Sequence, residues 1–186
     1  MSPVTHLLAG WMVANFADRP RDRALIMFAG VAPDLDGLGI VPELLTAHSS
    51  HPLPWFTEYH HILGHNIGFA LLVAALVWLL SRDWRVMAFA AVSFHLHLWG
   101  DLVGARGPDG YSWPIPYFLP FSHQWQWEWS GQWALNAWPN MLITILLLAI
   151  TLYLAVRRGF SLLEWIAPRV DQAVVQVLRV RFRSAA

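Results

Sequence analysis

Five apolar runs punctuate the chain. Leu7 to Ala17 is interrupted only by Gly10 and Asn15, and Ala24 to Ala32 is short and stops at Pro33. Ile67 to Leu80 is almost wholly apolar, and Val86 to Trp99 is apolar except for Ser93, His95 and His97. Met141 to Val156 is broken only by two threonines. A helix needs about 20 residues to cross the hydrocarbon of a bilayer. Flanking residues extend most of these runs towards that length, Ala24 to Ala32 least. The pattern predicts an all-α, polytopic membrane protein with four to five embedded helices. The tail from Leu162 to Arg183 places Ile166, Val170, Val174, Val175, Val177 and Leu178 at helical spacing, among Arg169, Arg179, Arg181 and Arg183. That is a basic amphipathic helix, suited to the cytoplasmic leaflet or to plain packing on the bundle. The chain therefore divides into a membrane-embedded part, residues 1–158, and a C-terminal amphipathic helix, residues 159–186.

Composition agrees with a membrane. The 186 residues are 56% hydrophobic and 13% charged, and twelve are tryptophan. Soluble domains carry about 25% charged residues. Four of the tryptophans fall in HQWQWEWSGQW, His123 to Trp133, which suits a belt or lid at headgroup level. The net charge is zero and no basic face with interleaved aromatics exists, so nucleic acid is not an expected partner. There is no cysteine, hence neither a disulfide framework nor a thiolate metal site. The N-terminal MSPVTHLLAG has no basic n-region and no cleavage motif, so a removable signal peptide is not expected. Arginine supplies orientation, since Lys/Arg excess marks the cytoplasmic side. Arg19, Arg21 and Arg23, then Arg82 and Arg85, then Arg157 and Arg158 all fall on one side if the five runs cross in turn. The segments Asp34–Asn66 and Asp101–Trp138 fall on the other.

That other side holds the candidate chemistry. His97 and Asp101 are four apart and share a helix face, so an imidazole and a carboxylate can reach one cation, or simply each other. GVAPDLDG contributes Asp34 and Asp36, in a turn that either binds a cation or forms an Asx cap. EYHHILGHN contributes His60, His61 and His65, three histidines in six residues ahead of an apolar run. Packing explains them poorly, and histidine is the commonest metal ligand. His95 points nearly opposite to His97 and reads as structural. His48 and His51 read as solvated, and His123 and Glu128 lack helical spacing to the others. Imidazole and carboxylate without thiolate suit zinc, iron or manganese, in number enough for a two-metal site.

The order of an early histidine, P-D-x-D, H-x4-H before a span and H-x3-D after the next resembles the bacterial family of inner-membrane metal-dependent hydrolases (YdjM-like). More remotely it is similar to the zinc-dependent phospholipase C and single-strand nuclease superfamily. The resemblance implies that Asp34, Asp36, His60, His65, His97 and Asp101 are metal ligands, with His6 matching the N-terminal histidine. GPDGYSWPIPYFLPFS resembles the segment after the third motif. Departures stand at Gly37, His61, Gly64 and Asn66, where the family motifs have histidine, arginine, threonine and serine.

The sequence thus leads to a multi-pass bacterial inner-membrane hydrolase holding one or two divalent transition metals, zinc before manganese or iron. Its metal site faces the periplasm and its C-terminus the cytoplasm. A metal-activated water would attack a phosphoester or lipid-like substrate, with membrane lipids as neighbours. His61 would act as general acid or base, and Arg106 would hold a phosphate or carboxylate. A second reading is a metal-binding transporter or sensor without catalysis, whose ligands would be expected near the bilayer midplane.

Overall fold

The computed structural model describes residues 1–107 and 110–183. Positions 108 and 109, inside the Gly/Pro-rich stretch that follows the H-x3-D motif, and the last three tail residues lie outside the described residues. The described chain is helical, without a named strand. The order is α1 (Pro3–Ala14), α2 (Pro20–Ala29), a 3-10 helix (Pro33–Gly39), α3 (Ile40–Thr46), α4 (Trp55–Tyr59), α5 (Ile67–Ser81), α6 (Trp84–Gly104), α7 (Trp138–Arg158) and α8 (Pro168–Arg183).

Each apolar run became one helix, and polar residues set the ends. Ser2, Asn66 and Asp83 cap α1, α5 and α6 by accepting from backbone N–H groups in the first turn, which satisfies donors that have no partner inside the helix. α2 ends at Ala29 with Gly30 as its cap, before the Ala32 end that Pro33 suggested; Ala32 itself keeps helical backbone at φ −57° and ψ −38°, and Pro33 opens the 3-10 helix. Gly159 ends α7 at φ +85°, a conformation that costs a side chain but not glycine.

Helices α1, α2 and α6 cross closely because small residues meet there. A Cβ built on Gly10 would lie 2.8 Å from the Met27 carbonyl, and one on Gly30 would lie 2.6 Å from Ser93 Oγ and 3.1 Å from Gly10 Cα. Without a hydrophobic drive between helices in lipid, such close backbone approach is what membrane helices use. One core groups Trp11, Ala14, Ile26, Met27 and Ala90, and a second groups Ala70, Phe94, Leu98 and Ile115. Outward faces remain apolar, as on α7, where Leu142, Ile145, Leu146 and Tyr153 are exposed. In water this surface would be a liability, whereas in acyl chains it is the ordinary outer face.

Fewer helices qualify as crossings by length and composition than the run count suggests. Among the described residues, α6 and α7 are long and apolar enough to cross a membrane. A third span results if α2 and the segment Pro33–Thr46, bent by 60°, act together. The expectation of four to five embedded helices is therefore not met by length. The 12 residues of α1 and 15 of α5 reach about 18 and 22 Å at 1.5 Å per residue, short of the roughly 30 Å hydrocarbon core. The runs ended early because Asn15 caps α1 and Arg82 closes α5 in the left-handed region at φ +57°.

The three arginine turns gather at one end of the bundle. Phe16, after α1, stacks on Phe89 near the start of α6. Arg23 reaches Glu164, beyond α7, at 2.7 Å. The H-x3-D motif lies at the far end of α6: Arg85 and Asp101 are separated by about 24 Å of helix.

Candidate metal centre

The centre begins on α6. Val86, Ala90, Ser93, Phe94, His97, Leu98, Asp101 and Gly104 form its buried stripe, so the four-residue step from His97 to Asp101 keeps both on the inward face. His95 falls off that stripe. Its Nδ1 donates to the Ala91 carbonyl at 2.7 Å, and its Nε2 accepts from the Tyr117 hydroxyl at 2.8 Å. The 3-10 helix brings in Asp34 and Asp36. The turn between α4 and α5 brings in His60, His61 and His65.

Four side chains converge. Suitable atoms of Asp34, His65, His97 and Asp101 all lie within 4.8 Å of one another. His97 Nε2 is 3.2 Å from His65 Nε2, 2.9 Å from Asp101 Oδ2 and 3.5 Å from Asp34 Oδ1. His65 Nε2 is 3.4 Å from Asp101 Oδ2. Ligands held tetrahedrally at zinc's ordinary 2.0–2.2 Å stand about 3.4 Å apart, so these four separations are close to the edges of a coordination tetrahedron, with Asp34 within 4.8 Å of His65 and Asp101. The unmet polar atoms agree. Asp34 Oδ2 is buried without a hydrogen-bond partner, and Asp101 Oδ2 has only the His97 and His65 imidazoles beside it, a costly arrangement unless a cation satisfies them.

Hydrogen bonds at the rear fix which atoms face inward. His97 Nδ1 lies 2.8 Å from the Gly30 carbonyl, which only accepts, so this nitrogen carries the proton and Nε2 presents its lone pair to the cluster. His65 Nδ1 donates to Asp36 Oδ2 at 3.2 Å. Asp36 is the hub of this layer. Its Oδ1 accepts from His60 Nδ1 at 2.7 Å, and its Oδ2 also accepts from the Gly64 amide at 2.9 Å. Such carboxylate and carbonyl supports set the tautomer and orientation of metal-binding imidazoles. Asp101 is held likewise: its Oδ1 accepts from His6 Nε2 at 3.1 Å and pairs with the Met1 ammonium, and the His6 ring stacks on His97 at 3.6 Å. Burial alone would lower the His65 pKa, but the Asp101 and Asp36 carboxylates outweigh it and lift the group to about 9. A cation arriving at Nε2 therefore displaces a proton at neutral pH.

The sequence-derived residues thus separate into groups. Asp34, His65, His97 and Asp101 share the cluster, while His6, Asp36 and His60 stand against its rear or flank. His61 stacks in parallel on His65 at 4.3 Å and meets Trp113 edge-on. Its backbone sits at φ +69° and its Nδ1 is buried without a partner. Burial pushes its pKa down to about 2, so the ring is neutral. A cavity of about 570 Å³ opens on His60 and His61, with Phe56, Trp113, Pro116 and Leu119 among its walls. His123 lines this cavity rather than the cluster. Arg106 is directed elsewhere, donating to the Ser130 carbonyl at 2.8 Å.

Sequence reasoning missed three contributors. Gly30 supplies the carbonyl behind His97, and Trp113 walls the cavity. Gln132 donates to the Asp101 carbonyl at 2.8 Å and accepts from the Trp113 amide at 3.2 Å, tying the tryptophan-rich segment to the end of α6. Only the proximity of Gln132 to the tryptophans hinted at a role. Gly64 gains a physical reason: a Cβ there would lie 2.1 Å from the Pro33 carbonyl. Gly64→Ala should destabilise the protein by about 1–3 kcal/mol, as overpacking does, seen as earlier thermal unfolding in detergent. Unchanged unfolding would refute this tight crossing.

No curated protein and no solved structure matches the chain. The family comparison does find a match, to the model of the YdjM inner membrane protein, over residues 1–170. A match of that extent, covering the P-D-x-D, H-x4-H and H-x3-D segments that build the cluster, makes the chain a member of the YdjM inner membrane protein family.

Proposed function

We propose that this inner-membrane protein is a metal-dependent hydrolase acting on a phosphoester or lipid-like substrate. The carrying observation is the convergence of two imidazole and two carboxylate donors within 4.8 Å of one another, next to a cavity that opens on the neighbouring His60 and His61. That donor set suits zinc, with manganese or iron as substitutes. It supports one ion in the cluster, because both oxygens of Asp36 are already taken by N–H donors. A bound divalent cation supplies Lewis acidity and a water acidified towards neutral pH. Asp34, His65, His97 and Asp101 would hold it. His61, held neutral by burial beside the cavity, is too weak a base to keep a proton and would instead orient the attacking water or a neighbouring group. Phe56, Trp113, Pro116 and Leu119 would seat the apolar part of the substrate.

Sidedness follows from the arginine turns, which lie at the end of the bundle away from the cluster. By the positive-inside rule we place that end, with α8, in the cytoplasm and the cluster at the periplasmic face. The arrangement also supports four to five embedded segments, with α1 as a short helix packed inside the bundle and α5 as a short helix whose exposed leucines would face lipid.

One observation favours the non-catalytic alternative, a metal-binding transporter or sensor: four protein donors can fill a tetrahedral shell and leave no open position. A single experiment separates the readings. Purified protein should contain about one transition-metal ion per chain and hydrolyse a member of a phosphodiester and phospholipid panel. His61→Gln should lose about 10–100-fold in rate, the usual effect of removing an orienting partner, while keeping its metal. Metal-loaded protein inert across the panel would leave the binding role, and metal-free protein would end both.

A further inference from the structure

The corner between α7 and α8 carries an arrangement that the hydrolytic reading does not use. We propose that α8 is a fixed, in-plane docking surface for anionic phospholipid in the leaflet that borders Arg157 and Arg158. The corner is held rigidly. Asp171 Oδ1 accepts from the Ser161 amide at 2.7 Å and from its hydroxyl at 2.5 Å. Arg179 Nε donates to the Val156 carbonyl at 3.0 Å. Arg23 forks onto Glu164 at 2.7 and 2.9 Å and lies 4.0 Å over the Phe160 ring. Several buried polar contacts thus fix where this helix lies.

What they hold out is apolar. Asp171 and Val175 face the bundle, at 3% and 4% exposure. Val170, Ala173 and Val177 follow one another at steps of three and four, which is a single helix face. Val170 and Val177 are 52% and 60% exposed, and Ala173 is exposed between them. Trp165 and Ile166, just before α8, are 55% and 59% exposed, and tryptophan favours the headgroup level. Gln172 and Gln176 occupy a separate exposed arc. A helix with one face on its own bundle, one polar arc and one bare valine stripe fits a bilayer surface.

Charge selects the occupant. From Arg157 to Arg183 the chain has six arginines against two acids, Glu164 and Asp171. Both acids are engaged inside the corner. Arg157, Arg158, Arg169 and Arg181 are exposed, so the outer surface is basic. A second copy of the chain is disfavoured, because a two-fold interface would set this basic patch against itself. An anionic headgroup meets it with opposite charge.

The chain has no cysteine, so single reporters are unambiguous. Val177→Cys and Gln172→Cys, each labelled with an environment-sensitive fluorophore in full-length protein, are placed in nanodiscs containing phosphatidylglycerol with brominated acyl chains. Quenching is expected at 177 and not at 172. In competition between phosphatidylglycerol and phosphatidylcholine, read by native mass spectrometry, Arg169→Gln and Arg181→Gln should each lower the anionic preference about fivefold, the worth of one juxtamembrane arginine. Metal content should not change in any of the four variants. Equal quenching at both positions, a lipid preference indifferent to both arginines, or disulfide cross-linking of Val177→Cys between copies would overturn the proposal.

Discussion

Asp101→Asn should strip the metal from the purified protein while leaving it folded. The substitution keeps the volume of a side chain that is 2% exposed. An amide oxygen can still accept from His6 Nε2, which now bonds Asp101 Oδ1 at 3.1 Å. What disappears is the negative charge and the second acceptor oxygen, the one 2.9 Å from His97 Nε2 and 3.4 Å from His65 Nε2. Loss of an orienting group around a metal commonly costs 10–100-fold in affinity, and loss of a direct donor should exceed about a hundredfold. Elemental analysis after dialysis against a weak chelator should therefore find the parent loaded and the variant bare. Asp101→Ala is the poorer variant, because it also abandons buried His6 and the Met1 ammonium, and an unpaired buried charge alone can unfold a protein. Full metal content in Asp101→Asn would remove this carboxylate from the site.

Much of this architecture was legible because hydrophobic runs and helix ends are local signals. The run Val86 to Trp99 and the i, i+4 pair at its end sufficed to put His97 and Asp101 on one face of one helix. The segment between Pro33 and Ile67 read as loop, since its 3-10 helix, α3 and α4 have only seven, seven and five residues, too few to show a period. Spacing misled there for the same reason. The four-residue step from His61 to His65 would share a face on a helix, but α4 ends at Tyr59 and His61 adopts positive φ. The two rings do meet, by stacking across a turn rather than along a helix face. Spacing also cannot distinguish an imidazole that would grip a cation from one that steers a neighbour, because that depends on which nitrogen faces inward. Arg23 shows the limit from another side. It read only as a marker of orientation, yet it is 8% exposed and bound to Glu164, a pairing 141 residues distant in sequence that no local pattern encodes.

Asp36→Asn tests whether that distinction between gripping and steering is right. Asp36 accepts from His60 Nδ1, His65 Nδ1 and the Gly64 amide, and it is absent from the four residues whose donors converge. An asparagine oxygen can replace one of its two acceptor edges. Its NH₂ must then face a histidine N–H on the other, donor against donor. The cheapest relief is for His60 or His65 to shift its proton to Nε2 or to turn. Either change at His65 withdraws the lone pair that points towards His97 Nε2, 3.2 Å away. Affinity should therefore fall about 10–100-fold, the usual effect of removing an orienting partner. Stoichiometry at saturating metal should remain that of the parent, since all four converging donors are still present. A titration of metal-stripped protein with a competing chromophoric chelator reads both quantities at once. A raised dissociation constant with the full count of ions supports an orienting role, whereas a lost ion makes Asp36 a direct ligand and requires a second metal beside His60.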